Sequence, residues 1–105
     1  MATRKLAPIH PGEILREEYM VPLGLSSNAL ARALGVTAAR VNDIVRGRRG
    51  ITADTALRLA RYFRTDVRSW MNLQSNYDLQ VAQADAGAAL AAIKPIPAKT
   101  LQKAA

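Results

Sequence analysis

Arg40, Asn42, Asp43 and Arg46 place within one short stretch the side-chain types that read base edges. Arginine can bridge the two acceptors of guanine, and asparagine matches the donor and acceptor of adenine. Aspartate can accept from cytosine, or it can orient a neighbouring arginine. The plainer alternative is a solvated helix face with an Asp43–Arg46 pair. Thr37 precedes this stretch and can cap a helix, and Ala38 and Ala39 are small enough to let that helix start approach a duplex closely. Arg48 and Arg49 lie between Gly47 and Gly50. There they would meet phosphates, contacts that set register and affinity but carry no sequence information. Ser26, Ser27 and Asn28 open an earlier helical stretch, where a hydroxyl caps the first turn and free N–H groups favour a phosphate.

Other chemistry finds little support. The chain has one histidine, His10, and no cysteine, so no disulfide, cysteine-ligated metal or cofactor site is expected. Glu13, Glu17 and Glu18 lie together without a nucleophile or a glycine-rich cradle, and they read as solvated charge rather than acid catalysts. The string Gly47-Arg-Arg-Gly50 matches the GxxG clamp of KH domains, but strand patterns for such a fold are missing.

Positioning these side chains requires two short helices and a tight turn. Leu30, Ala31 and Leu34 share one helix face, Gly35 supplies the turn, and Val41, Ile44 and Val45 form the inner face of the next helix. That leaves Ala38, Ala39, Arg40, Asn42, Asp43 and Arg46 outward, the shape that enters a major groove. Ahead of this motif, Pro11 suits a first helical turn, Ile14, Leu15 and Tyr19 form an inner face up to Met20, and Pro22 and Gly24 break the chain. After it, Thr52 can cap a fourth helix with Leu57, Leu59, Ala60 and Phe63 for the core. Thr65 or Asp66 can cap a fifth running through Trp70 toward Val81. No segment alternates as a strand does. The expected architecture is therefore all-α: a flexible arm over 1–9, a helix-turn-helix domain over 10–83, and an alanine-rich extension over 84–105, partly helical and then disordered.

The 105 residues suit one small domain, and their charge is concentrated. The formal net charge is +7, and the stretch from Arg32 to Arg68 holds nine arginines against three aspartates. Localised positive charge favours a polyanion, and nucleic acid is the commonest; the groove-entering shape of the helix pair points to double-stranded DNA. A membrane surface fits less well, because no strongly basic amphipathic helix carries bulky aromatics. Without a signal core or a bilayer-length apolar run, the expected location is cytoplasmic.

Several separated strings are similar to the HigA-like antitoxins, a branch of the Xre/Cro-repressor helix-turn-helix class. They are Ile9-His-Pro-Gly-Glu-Ile-Leu15, Leu25 to Gly47, Gly50 to Phe63, Trp70-Met-Asn-Leu-Gln74 and Tyr77-Asp-Leu79. Arg40, Asn42 and Ile44 stand where that family writes its recognition stretch. Arg64 departs from it, because the family often has glycine there. The resemblance implies a five-helix domain that dimerises on operator DNA, represses its own operon and neutralises a small RelE/HigB-like ribonuclease toxin. The alternative it leaves open is a stand-alone Xre-type repressor. A homodimer would use Trp70, Leu73, Tyr77, Leu79 and Val81, which offer more apolar surface than so small a domain needs. A ribonuclease that binds RNA is basic, so the complementary toxin-binding face would be the acidic one of Glu13, Glu17 and Glu18.

Overall fold

A computed structural model describes residues 7–103; residues 1–6 of the expected N-terminal arm, and 104–105, lie outside them. The described residues form six helices and no strand. Pro11–Ile14, a π-helical stretch Leu15–Met20 and Val21–Leu23 run on without interruption, and together they are α1. Then follow α2 (Ser27–Leu34), α3 (Ala38–Val45), α4 (Ala53–Phe63), α5 (Val67–Ala91) and α6 (Ala98–Leu101).

Pro22 does not end the first helix, contrary to expectation. The widened turn shifts backbone bonding by one residue, so that the Val21 N–H donates to the Arg16 carbonyl. Proline lacks the N–H that a regular turn would require, and the wider turn precedes it. The chain then leaves the helix at Gly24, at φ 64°. The next three starts are made by local side chains. Ser26, Thr37 and Thr52 each accept from the backbone N–H three residues on, and Asp66 does the same for α5.

The core gathers one stripe from each of α1 to α5. Leu15 and Met20 of α1, Leu30, Ala31 and Leu34 of α2, and Val41 and Ile44 of α3 are buried. Ile51, Ala56, Leu59, Ala60 and Trp70 complete it. Leu57, expected among them, is 57% exposed. The inner stripe of α4 follows Thr55, Ala56, Leu59 and Ala60 at helical spacing, and this turns Leu57 to solvent with Arg58 and Arg61. Trp70, expected at a subunit contact, is 2% exposed within the single chain. Its ring lies 5.1 Å from that of Tyr19, which is 4.8 Å from Phe63. Its Nε1 donates to Thr65 Oγ1 at 2.8 Å, so burial leaves no donor unpaired.

Two contacts fix the start of α1, one against α3 and one against α5. Gly12 lies so close to the end of α3 that a Cβ there would fall on the Ile44 carbonyl oxygen. His10 caps α1, its Nδ1 accepting from the Gly12 N–H at 2.9 Å, and its ring packs edge-on to Tyr77 of α5 at 4.8 Å. Burial holds the His10 imidazole below its ordinary range, and the nearby Asp78 charge only partly opposes this. Beyond Val81, α5 carries the alanine-rich segment as a direct continuation, exposed except for a half-buried Ala86, and it stops before Lys94-Pro95. The single turn α6 lies in the stretch expected to be disordered.

Three outcomes are expected. Gly12→Ala should lose about 3 kcal/mol of stability in chemical denaturation, because backbone rather than a flexible side chain occupies the space. Gly87→Ala, on the open helix of α5 with nothing near it, should gain roughly 0.5–1 kcal/mol. The third concerns pH. His10 binds a proton less readily in the folded chain, so stability should be full above its ordinary value of 6.5 and fall as pH drops below it. His10→Asn keeps a capping acceptor but cannot titrate. The difference in stability between the two proteins, followed by denaturation from about pH 7 to about pH 5, should shrink as pH falls. A constant difference would contradict this.

Candidate nucleic-acid interface

The turn between α2 and α3 determines what α3 presents. Gly35 takes φ 72°, and the Val36 N–H returns to the Ala31 carbonyl at 3.0 Å. Arg58 of α4 reaches across to this turn, its Nη1 donating to the Leu34 carbonyl at 2.8 Å. With Val41 and Ile44 buried, the opposite face of α3 turns to solvent. Ala39 and Arg46 are exposed there, and Arg40, Asn42 and Asp43 are partly so. Ala38 departs from expectation, since it is half-buried against the core and leaves Ala39 alone as the small residue at the exposed start. Thr37 is exposed while its hydroxyl caps α3. At the start of α2, Ser26 and Asn28 are exposed and Ser27 is half-buried.

The arginines of this surface are not all free point charges. Asp43 does not pair with Arg46. It holds Arg48 at 3.2 Å and Arg49 at 3.9 Å, and its carbonyl also accepts both of their N–H groups. The basic loop is thereby folded back onto α3. On its other side, Gln74 of α5 accepts from the Ile51 N–H at 2.6 Å, and its amide packs where a Cβ on Gly50 would crowd it. Arg40 pairs with Asp54 at 3.0 Å, and Asp54 also takes Arg58 at 2.9 Å. Hydrogen bonds from Arg58 and then Arg40 hold the Asp54 carboxyl below its ordinary range. Arg46 makes no ion pair among the described residues.

Asp54, Arg58, Gln74 and Gly12 had no part in the expected site. The i, i+4 spacing of Asp54 and Arg58 announces a pair on one helix, but nothing local announces that the pair reaches Arg40. Among the other expected site residues, Glu13, Glu17 and Glu18 are exposed on α1, with Glu17 paired to Arg16 at 2.8 Å. Leu73, Tyr77 and Val81 are half-buried on α5, and Leu79 is 56% exposed.

A turn-linked pair of capped helices presenting a polar, arginine-bearing second helix defines a helix-turn-helix protein. The chain belongs to the helix-turn-helix family, which matches it over residues 15–70. Virulence-associated protein I of Dichelobacter nodosus is 62% identical over 81 residues, covering 77% of this chain and 75% of its own. Antitoxin HigA-1 of Vibrio cholerae is 36% identical over 80 residues, 75% of this chain and 74% of that protein. The solved structure of the Pseudomonas aeruginosa antitoxin HigA with the higBA promoter matches at 55% identity and a TM-score of 0.83, covering 86% of this chain and 99% of that one. Within the helix-turn-helix family the chain is a HigA-like antitoxin relative of the Xre type.

Arg64, which departs from the glycine common at its position in such proteins, ends α4 in the left-handed conformation at φ 58°. The cap geometry is therefore kept, at a backbone cost of about 1 kcal/mol that glycine would avoid.

Proposed function

We propose that the protein is the DNA-binding antitoxin of a toxin–antitoxin pair, repressing its own operon and neutralising a RelE/HigB-like ribonuclease. The observation that carries this reading is the outward face of α3, with Ala39, Arg40, Asn42 and Arg46 on a scaffold shared with a promoter-bound antitoxin at 55% identity. Its work is binding, with no reaction of its own. Arg40 and Asn42 are assigned to base edges. Asp43 is assigned to orienting Arg48 and Arg49 toward phosphates, with the starts of α2 (Ser26, Ser27, Asn28) and α3 (Thr37) beside them. A single motif covers little DNA, and two copies about one helical turn apart are the usual solution. A symmetric dimer through Leu73, Tyr77, Leu79 and Val81 would provide this. Among the described residues no helix is long and apolar enough to cross a membrane, and we assign the protein to the cytoplasm with its operator.

Titration of variants against operator and scrambled duplexes at several salt concentrations tests the DNA face. Arg40→Ala should relax discrimination at one base pair by about 1–3 kcal/mol. Arg48→Ala and Arg49→Ala should weaken both duplexes alike and flatten the salt slope by about one unit each. The same titrations should count two chains per operator. One chain at a single half-site would overturn the dimer, and unchanged discrimination in folded Arg40→Ala would overturn the base contact.

The toxin face is tested separately. Glu17→Lys with Glu18→Lys reverses the exposed acidic surface of α1, which is remote in sequence from α3. Capture of the toxin encoded beside this gene should be lost in a pull-down while operator binding is kept. Capture at wild-type affinity would move the toxin elsewhere on the molecule. Absence of any neighbouring toxin gene would leave the stand-alone repressor.

A further inference from the structure

Arg40 is tied into a chain of contacts that spans three elements. Its Nη1 donates to Asp54 Oδ2 at 3.0 Å, across fourteen residues of sequence. The same oxygen accepts from Arg58 Nε at 2.9 Å, and Arg58 Nη1 donates to the Leu34 carbonyl at 2.8 Å and the Gly35 carbonyl at 3.5 Å. The acid is thus fixed from behind by an arginine that is itself fixed to the turn of the motif. The side chains of Arg40, Asp54 and Arg58 are 32%, 56% and 41% exposed. Ion pairs this open to water contribute little to folding stability, so stability does not account for the arrangement.

We propose that Asp54 is a positioning residue that sets sequence selectivity by acting through Arg40; this rests on the reading of Arg40 as a base contact. A guanidinium has five N–H donors, and Asp54 engages one of its nitrogens, Nη1. Enough donors stay available for a bidentate contact to guanine, and the side chain is ordered before DNA arrives. A nonspecific phosphate, by contrast, offers Arg40 only what it already has, a single anionic partner. The pairing therefore lowers the return from arbitrary DNA more than the return from the correct base edge, which is how a difference in affinities is built from an unfavourable element.

Four proteins test this: Asp54→Asn, Asp54→Glu, Arg40→Ala and the Asp54→Asn/Arg40→Ala double variant. Each is titrated against operator and scrambled duplexes over a range of salt, with a melting temperature measured alongside. Asp54→Asn should raise affinity for scrambled DNA, steepen its salt slope by about one unit, and reduce the operator-to-scrambled ratio about tenfold. Its melting temperature should stay close to wild type. Asp54→Glu should recover the ratio, and in the Arg40→Ala background Asp54→Asn should leave the ratio unchanged. If Arg40→Ala relaxes the ratio but Asp54→Asn does not, the positioning role is overturned and the base contact stands. If Arg40→Ala itself leaves the ratio at wild type, the base contact falls and the positioning role falls with it. An equal loss on both duplexes with a lowered melting temperature would make Asp54 a structural residue only, and a ratio change that persists without Arg40 would show that it acts through another group. Either result overturns the proposal.

Discussion

The approach of α1 to the end of α3 is the constraint on which the rest of the structure depends. Gly12 meets the Ile44 carbonyl with no room for a side chain between them. That contact joins the first helix of the scaffold to the far end of the helix that faces outward. His10 closes the same corner from α5 through Tyr77. Because interiors are packed to crystal-like density, a shift at such a contact cannot be absorbed locally. The orientation of α3 is thereby set by backbone from behind, while its outer face remains free to vary in sequence.

The charge on that outer face is organised by two aspartates. Asp43 gathers Arg48 and Arg49, and Asp54 gathers Arg40 and Arg58. A count of nine arginines between Arg32 and Arg68 therefore overstates what an approaching duplex would meet at close range. The long-range field still attracts a polyanion. The short-range pairs determine which guanidinium groups are ordered and in which direction. Arg46 and the paired arginines thus differ in kind although their residue type is the same.

Much of this was legible from local signals. The caps at Ser26, Thr37, Thr52 and Asp66 and the turn at Gly35 all depend on residues within a few positions of one another. The helix pair could be read from them with near-correct bounds. What escaped depends on residues that are distant along the chain. Pro22 reads as a break because the widened turn that accommodates it has no local signature. Leu57 reads as a core residue alongside Leu59, Ala60 and Phe63, and only the packed stripe of Thr55, Ala56, Leu59 and Ala60 shows it one step too far around the helix. Trp70 suits a subunit contact or a core equally well until Tyr19 is seen against it, with Phe63 against Tyr19 in turn. The Asp54–Arg40 contact links two helices whose facing sides no periodicity identifies.

The fifth helix continues well past the body it packs on, and this divides the molecule by depth of protection. Around Trp70 the amide hydrogens are shielded by the same contacts that hold the whole fold, so exchange with solvent there requires opening of the entire domain. From Ala84 to Ala91 the same helix has almost no neighbours besides its own turns. Its amides are protected only by helix–coil equilibrium, which is marginal for so short a stretch. One continuous helix therefore contains both extremes of exchange rate, and the crossover near Val81 marks where the cooperative unit ends although the secondary structure does not.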